Sequence, residues 1–559
     1  MKTKIIIQLT VLIALHTMLS GCKEEWLDEK PPHLVTSGTV YSNLAGFETG
    51  INGLYALVRL EKSGSGDGGS NYLRSEMLLN GTDNMTQNLA DAWSLIAENW
   101  TQNNRPEHPY YMAQFSWLYQ TVNAANTIIE QAETRTDIDW TGGSGTPEDS
   151  KARIVAEARA IRAWAYRHLT FGWGDVPLSL TESKGSTVKM DWERTPVNEV
   201  RNQMKADWVF AEQYLGVEPA SPGKITKGAV QHYLAELYLT LEQPDSALYW
   251  ADKCISTPAY QLVTERYGVN ASEPGVPFMD MFRQGNVLRS QGNTESLWSW
   301  EYEYGVNGGG GSIMRRYHAS RYDLITIDGV RPFAVTVERG GRGIFRMSMT
   351  KYALDVYEPQ DERFSGFAVR KYFVLQDAAQ NAPAPADVLP PGYSYGDTVK
   401  LDWSQDITPE YSKTNYTWPF SRKVDGGRAE NLLDGIQFND QVYLRLADTY
   451  LLKAEAQWRM GNLSGAAETI NILRARAHTS SVSADQIDLD FILDERSREL
   501  FVEEHRRYTL LRTGTWLERV RMYNKNGGQT ATERDTLFPI PQAVVDANLT
   551  SPMRQNPGF

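Results

Sequence analysis

A helical hairpin that occurs twice constrains the fold of this chain more than any other feature. In residues 444–459 the apolar side chains recur at the i, i+3, i+4 spacing of one helix face, and Gly461 interrupts the pattern before a second helical run begins at Leu463. Residues 231–255 follow the same plan, with a turn at Pro244 between the two runs. Both segments are therefore predicted to be helix–turn–helix units.

The two hairpins also share the positions of their small residues. Ala235 and Ala247 are twelve residues apart, and so are Ala454 and Ala466. Small side chains at these points permit the paired helices to approach closely, and the pattern resembles the tetratricopeptide repeat. Cys254 falls at such a helix–helix position, so we expect a buried packing thiol there and not a reactive one.

Further elements complete the predicted architecture. Residues 112–132 and 152–170 each have one apolar helix face, and residues 297–304 alternate and are aromatic, which predicts a strand. Long insertions rich in turn-forming and aromatic residues separate the helices, so the repeats do not form a regular solenoid. The predicted fold class is all-α: tetratricopeptide-like helix pairs in one compact domain, with long irregular loops and minor β-structure.

Composition excludes several classes of function. The 559 residues have a formal net charge of −13, which argues against a nucleic-acid partner because phosphates require a basic surface. Two cysteines do not suffice for a disulfide scaffold or a four-cysteine metal site, and the eight histidines form no zinc motif. We therefore expect no metal and no cofactor. Aromatic residues are unusually frequent, with 16 Trp and 28 Tyr, and the function has to account for them.

The N-terminus has the features of an export signal. Lys2 and Lys4 precede an apolar stretch over residues 5–19, which is too short and too interrupted to span a membrane. The sequence Leu-Ser-Gly-Cys at 19–22 follows and resembles the bacterial lipobox, with Cys22 as the lipidated residue. The alternative is an ordinary signal peptide followed by a chance cysteine.

The lipobox divides the chain into three parts. We predict a lipoprotein signal peptide over residues 1–21, a lipidated tether over residues 22–40 and a single helical domain over residues 41–559. The tether contains two consecutive prolines, which favour an extended conformation. Acyl chains on Cys22 would hold the protein at a membrane without spanning it.

Two aromatic insertions are the candidate ligand-binding surface. Exposed Trp or Tyr beside Asn, Asp or Arg can bind a ligand that combines apolar faces with hydroxyl groups. The first insertion has this mixture, and its candidate ligand-binding residues are Asp83, Asn84, Trp93 and Trp100.

The second insertion surrounds a run of four glycines. Its candidate ligand-binding residues are Tyr304, Arg315, Tyr317, Arg321 and Tyr322. The alternative for every ring in both insertions is burial in the core, where aromatic side chains are most often found. The prediction therefore names two regions and does not fix the role of a single side chain.

A charged segment lies near the C-terminus. Residues 494–512 carry acidic and basic side chains at i, i+3 and i, i+4 spacings. This spacing predicts one helix with intrahelical ion pairs, each stabilising by about 0.2–0.5 kcal/mol. Some of the charges could instead pair with other elements.

Six segments, taken in order, resemble the SusD/RagB family of bacterial surface lipoproteins. The first is the lipid cysteine with the Trp-Leu-Asp-Glu-Lys-Pro-Pro sequence that follows it, and no single segment is decisive. Their order along nearly the whole chain makes a chance match improbable. The six segments are residues 22–32, 156–178, 443–456, 496–514, 538–549 and 555–559.

The resemblance carries expectations about fold and function. It implies an all-α core of helix pairs, with loop excursions that build the ligand surface. It implies a protein that is lipid-anchored on the extracellular face of the outer membrane and captures glycans for a TonB-dependent, SusC-like transporter. Some members of the family capture peptides, so a peptide ligand is the alternative. The resemblance implies no catalysis.

Two other functions compete with glycan capture. A glycoside hydrolase needs two carboxyl groups that flank the scissile bond, and Glu301, Glu303 and Asp83 are candidates. No nucleophile elbow, phosphate loop or metal motif accompanies them. The other competitor is a protein-binding scaffold or adhesin built on the helical repeats. Binding of free glycans would argue against the scaffold, and release of reducing ends would reveal a hydrolase.

Overall fold

The computed structural model describes residues 37–64, 72–89, 92–184, 189–410 and 416–559. These residues form one mostly helical domain with four two-stranded antiparallel sheets, which confirms the predicted fold class. The predicted signal peptide, the predicted lipidation site Cys22 and most of the predicted tether lie outside the described residues.

The helices and strands follow one another along the whole described chain. The helices are α1 (Ser37–Val40), α2 (Leu44–Arg59), α3 (Glu76–Leu79), α4 (Leu95–Glu98), α5 (Trp100–Asn103), α6 (Pro109–Thr134), α7 (Pro147–Trp173), α8 (Val197–Tyr214), α9 (Lys227–Thr240), α10 (Pro244–Ile255), α11 (Pro277–Asp280), α12 (Met314–His318), α13 (Lys351–Asp355), α14 (Leu446–Arg459), α15 (Leu463–Arg476), α16 (Leu489–Leu500), α17 (Arg506–Arg512), α18 (Trp516–Tyr523) and α19 (Gln542–Ala547). The strands are β1 (Met85–Gln87), β2 (Ser296–Trp300), β3 (Met347–Met349), β4 (Val369–Arg370), β5 (Tyr372–Val374), β6 (Thr398–Lys400), β7 (Phe420–Ser421) and β8 (Gln441–Arg445).

The long helix α7 lies at the centre of the main core. It begins with a capping box, in which the Thr146 hydroxyl accepts from the Asp149 amide at 3.1 Å and the Asp149 carboxylate accepts from the Thr146 amide at 3.0 Å. Its C-cap is Gly174, which adopts a φ of 70° without strain because glycine has no Cβ atom. Helices α6 and α8 pack on either side of it. The helices predicted over 112–132 and 152–170 are therefore confirmed.

The two predicted helical hairpins are confirmed as α9–α10 and α14–α15. Ala235 and Ala247 are both buried in one apolar cluster, and Ala454 and Ala466 are both buried in another. The small residues thus lie where paired helices meet, as their shared register predicted. Cys254 is buried as well, and burial raises the pKa of its thiol to about 12, which confirms an unreactive packing role.

The predicted strand over residues 297–304 is confirmed only as far as Trp300. Strand β2 pairs antiparallel with β8, and the rings of Trp300 and Tyr443 stack with their centres 4.0 Å apart. Beyond Trp300 the amide of Tyr302 donates to the side chain of Asp440 instead of to a strand partner. The chain therefore leaves the sheet and enters the loop that carries the second aromatic insertion.

The charged segment 494–512 is two helices and not one. Helix α16 ends at Leu500, α17 begins at Arg506, and Val502 between them has a φ of 73°. The intrahelical pair between Arg498 and Glu495 is present, at 2.9 Å, but most of the other charges pair with different elements. The prediction of one helix stabilised mainly by its own ion pairs is therefore wrong.

The reason is that this charged face is buried. Glu499 is fully buried and accepts from Arg363 at 3.0 Å, from Arg445 at 2.5 Å and from Arg476. Burial alone would raise the pKa of Glu499, but the three guanidinium groups hold it well below its usual value. Arg363 also pairs with Glu495 at 2.7 Å. Buried charges remain ionised only when partners compensate for lost water, and here those partners come from three distant segments.

Candidate functional site

The polar residues of the first predicted region lie inside the protein. Asp83 is fully buried and forms a bidentate ion pair with Arg506, at 2.8 and 2.7 Å, and a further bond of 2.8 Å with Arg519. Burial would raise the pKa of Asp83, but the two guanidinium groups lower it. Asn84 is also buried and donates to Ser497 at 3.3 Å. Neither side chain is open to a ligand.

The two tryptophans of this region are buried too. Trp93 packs between Tyr72 and Tyr110, with ring centres 5.1 and 5.2 Å away. Trp100 is fully buried, and its ring meets Trp516 edge to face at 5.2 Å. Burial of such large apolar rings stabilises the fold, so these side chains act in packing and the prediction of an exposed platform here is not supported.

Two residues of the second region are equally enclosed. Arg315 is fully buried, and its guanidinium group donates to backbone carbonyl oxygens of residues 426–436. The Tyr317 hydroxyl accepts from the Leu73 amide at 3.0 Å and donates to Glu76 at 3.0 Å. Arg315 thus fixes a loop and Tyr317 joins two elements, and neither faces solvent.

Tyr322 and Arg321 stand next to each other but differ in exposure. Tyr322 is fully buried against Phe373, with ring centres 4.9 Å apart. Arg321 is partly exposed, and its guanidinium group forms a two-bond ion pair with Asp323 at 2.9 and 3.0 Å. Arg321 is therefore at the surface with its charge already neutralised.

Tyr304 is the predicted aromatic residue that reaches solvent. Its side chain is 43% exposed and lies at a pocket of about 460 Å³. The ring meets Phe438 edge to face at 4.9 Å, and the guanidinium carbon of Arg428 is 5.4 Å from the ring centre. Phe438 and Arg428 thus both contact the ring, while the exposed part of the side chain remains open to solvent. The polar side chains that line this pocket, which we call the Tyr304 pocket, are Arg59, Gln284, Glu301, Glu303, Arg428 and Asp440.

The run of glycines shapes one side of the Tyr304 pocket. The Glu303 amide donates to the Gly309 carbonyl at 3.1 Å, which closes a tight loop. A Cβ atom on Gly309 would lie 2.3 Å from the Glu303 carbonyl oxygen, and Gly308 and Gly310 have φ values of 82° and 70°. Only glycine fits this turn, because other residues would clash or adopt a strained backbone.

Arg59 anchors the same loop from the end of α2. Its two terminal nitrogens donate to the carbonyl oxygens of Glu301, at 2.6 Å, and Gly308, at 3.1 Å. Asp440 holds the other side, since its carboxylate accepts from the Tyr302 amide and from the side chain of Gln284, both at 3.0 Å. Sequence patterns did not identify either residue, because each reaches the pocket only through the tertiary fold.

The Tyr304 pocket is rich in acidic acceptors. Burial, together with the neighbouring Asp440 and Glu303, raises the pKa of Glu301. Burial also raises the pKa of Asp440, in opposition to its hydrogen bonds. An exposed aromatic ring next to carboxylate oxygens can bind a molecule with one apolar face and several hydroxyl donors.

A second, more apolar groove of about 550 Å³ lies between α6, α19 and the loop after α7. Met112, Phe115, Tyr119 and Val544 line it, and the amino group of Lys189 is 4.8 Å from the ring of Trp192 at its edge. No sequence pattern predicted this groove. Lys189 is the one charged side chain among the described residues of its lining, whereas five charged side chains line the Tyr304 pocket. The groove is the alternative location for a ligand.

Two further features bear on function. Among the residues that the structure describes, no three His, Cys, Asp or Glu side chains are grouped so as to hold a metal ion. Within the same residues, no helix combines the length and the apolar character that crossing a membrane requires.

The helix pairs and the open aromatic pocket define a helical-repeat binding protein. A model described as "SusD family" matches residues 294–559, and one described as "Starch-binding associating with outer membrane" matches residues 25–239. The chain belongs to the SusD family. Proteins of this family bind ligands without catalysis, which confirms the prediction of a non-enzyme.

Relatives and solved structures agree with this membership. One SusD-like protein of Formosa agariphila is 24% identical to the chain, over 99% of the length of each. A second from the same organism is 21% identical, over 89% of this chain and 88% of its own length. A structure described as a laminarin-binding SusD-like protein has 19% identity and a TM-score of 0.66, covering 93% of this chain and 100% of its own. The structure of surface glycan-binding protein A from Bacteroides fluxus has 17% identity and a TM-score of 0.65, and the match covers 94% of this chain and 100% of that protein's chain.

Proposed function

We propose that this protein is a surface lipoprotein that captures a glycan in the Tyr304 pocket and delivers it to a TonB-dependent, SusC-like transporter in the outer membrane. The observation that carries the proposal is the half-exposed Tyr304 ring beside open carboxylate acceptors in a SusD-family chain. The ring offers an apolar face to the C–H surface of a sugar, and the carboxylates accept its hydroxyl protons.

The names of relatives support a glycan as the ligand. One neighbour in structure is described as laminarin-binding, others as surface glycan-binding proteins, and a Bacteroides thetaiotaomicron relative, 33% identical over 22% of each chain, is called starch-binding. These ligands differ from one another, so the particular glycan of this protein has to be found by experiment.

The test of glycan capture is affinity electrophoresis of residues 23–559 through gels that contain different polysaccharides, with an assay for reducing ends on the same mixtures. We expect retardation by at least one polymer and no new reducing ends. New reducing ends would contradict a binding protein. Absence of retardation in every gel would contradict glycan capture and favour the peptide ligand.

Three variants locate the site. Tyr304→Ala should lose about 1–2 kcal/mol of binding free energy, or about five- to thirtyfold in affinity, because the ring no longer packs on the sugar. Tyr249→Ala is the matched control, since this tyrosine on α10 is 59% exposed and lies outside both pockets. Trp192→Ala tests the apolar groove. Loss of binding in this variant, with Tyr304→Ala unaffected, would move the site to the groove.

The anchor and the transporter need separate tests. Cys22→Ala should release the protein from membranes of its own host, because no acyl chain can be attached. Retention of this variant in the membrane fraction would contradict a lipid anchor. Purification of the tagged natural chain in mild detergent should recover a TonB-dependent transporter, and recovery of the chain alone would contradict the partnership.

A further inference from the structure

We infer that the Tyr304 pocket selects uncharged glycans and rejects polyanionic ones, such as chains with uronate or sulfate groups. The inference rests on the proposed function, because it names the class of glycan that this same site accepts. It follows from the fixed charges around the exposed ring and from the bonds that those charges already make.

Three carboxylates line the Tyr304 pocket. Asp440 is committed to the protein, since it accepts from the Tyr302 amide and from the side chain of Gln284. Glu301 and Glu303 differ from it, because neither makes an ion pair or a side-chain hydrogen bond with any residue that the structure describes. Their oxygens are therefore the open acceptors of the pocket.

Two cations, Arg59 and Arg428, line the same pocket as the three carboxylates. Arg59 already donates from both terminal nitrogens to backbone carbonyl oxygens of the pocket loop. Arg428 lies over the Tyr304 ring, and its Nε atom is 3.6 Å from the carboxylate of Glu430. This carboxylate partly neutralises the positive charge of Arg428. Negative charge therefore outweighs positive charge at the open part of the pocket.

This balance treats neutral and anionic sugars differently. A hydroxyl group donates to an ionised carboxylate in a charge-assisted hydrogen bond. A uronate or sulfate group has no proton to donate at neutral pH and meets like charge instead. Protein on several sides of the pocket lowers the local dielectric, so this repulsion is stronger than it would be in bulk water.

The test compares a polysaccharide with its own charged derivative. For a neutral polymer that retains the protein, a lightly carboxymethylated form is prepared, and the dissociation constants of both are measured by titration calorimetry in low-salt buffer. We expect the derivative to bind at least about tenfold more weakly. Added salt should reduce this difference, because ions screen exposed charges.

The outcomes separate the inference from the function on which it rests. Equal or tighter binding of the charged derivative would overturn the inference and leave glycan capture intact. Binding only to natural polyanions such as polygalacturonate, or only to a cationic polymer such as glycol chitosan, would also overturn the inference and leave glycan capture intact. Absence of binding to every polymer would overturn both.

A variant without the charges tests their role. In the double variant Glu301→Gln, Glu303→Gln, the ratio of the two dissociation constants should move towards one. The control is the double variant Glu468→Gln, Glu533→Gln, which changes net charge equally at exposed residues outside the pocket and should keep the natural ratio. If the ratio of dissociation constants moved towards one equally in both double variants, the effect would belong to overall charge and the inference would be overturned. Glu303→Gln alone, at an exposed side chain, gives the same test if the pocket double variant does not fold.

Discussion

The amide nitrogen of Tyr302 donates a 3.0 Å hydrogen bond to Oδ1 of Asp440, a residue 138 positions further along the chain. The second oxygen of the same carboxylate accepts from Gln284 at 3.0 Å. These two bonds fix the point at which the chain leaves β2. They therefore determine where Glu303 and Tyr304 stand in the pocket.

Replacing this carboxylate should disturb both binding and folding. Asp440→Ala is expected to weaken glycan retention and to lower the free energy of unfolding by about 1–3 kcal/mol, since the Tyr302 amide and Gln284 lose their acceptor. Affinity electrophoresis and urea unfolding measure the two effects. Asp440→Asn keeps the acceptor for Tyr302 and should retain more of the binding. Natural affinity in the alanine variant would show that Asp440 does not position the pocket.

Replacing Asp83 should disturb folding and leave glycan binding unchanged. Asp83→Asn removes the charge that neutralises Arg506 and Arg519, so we expect the free energy of unfolding to fall by about 3–5 kcal/mol. The folded fraction should bind glycan as the natural chain does, because this side chain is buried. Chemical unfolding and calorimetric titration below the unfolding transition provide the measurements. Lost binding with unchanged stability would restore Asp83 as a ligand residue.

Acid should unfold the domain in a defined range of pH. Glu61, Glu236 and Glu495 are buried, which by itself raises their pKa values, but His505 beside Glu61 and arginines beside the other two lower each to about 2 from a usual 4.5. A pKa lowered by folding stabilises the native state above pH 4.5, and this stability is lost as the pH falls from 4.5 towards 2.

A buried histidine adds to the same loss at higher pH. Burial lowers the pKa of His318 to about 3 from a usual 6.5, so the unfolded chain gains a proton below pH 6.5 that the native state does not take up. Urea midpoints measured from pH 7 to pH 2 should therefore decline gradually below 6.5 and steeply below 4.5. A midpoint that stays constant down to pH 3 would contradict the ionised state of the buried carboxylates.

The close contact within each helix pair should limit the size of the side chains at the contact. Ala454→Leu inserts a larger side chain where α14 meets α15, and such overpacking should lower the free energy of unfolding by about 1–3 kcal/mol. Glu468→Leu, at an exposed position of α15, is the matched control and should change stability little. Thermal unfolding compares the two. Equal stability of both variants would show that the shared small residues are not needed for helix contact.

The helices could be predicted because their signals are local. Apolar spacing located α6, α7 and the two hairpins, and alanines twelve residues apart gave the register of the pairs. The charged segment could not be predicted in the same way. Spacing along one helix does not reveal that Arg363 and Arg445, far away in sequence, approach Glu499 in the buried interior.

The candidate site was predictable as a region but not as a set of residues. Trp100 and Tyr304 both lie in aromatic, polar insertions, and only the tertiary fold decides that the first is enclosed and the second open. Tyr304 lies in a loop whose course is fixed by the glycine turn and by Arg59 at the end of α2. Arg59 is 242 residues from its partner Glu301, a distance at which local patterns carry no information.

The buried carboxylate of Glu499 makes the folded domain depend on helix α16. Its cationic partners Arg363, Arg445 and Arg476 all precede it in the sequence. Without α16, these three guanidinium groups would lack the Glu499 carboxylate that compensates them in the buried interior. Helix α16 therefore completes the charge balance of the interior that earlier segments build. We expect a chain clipped before Leu489 to lose the whole domain cooperatively and not merely one edge of it.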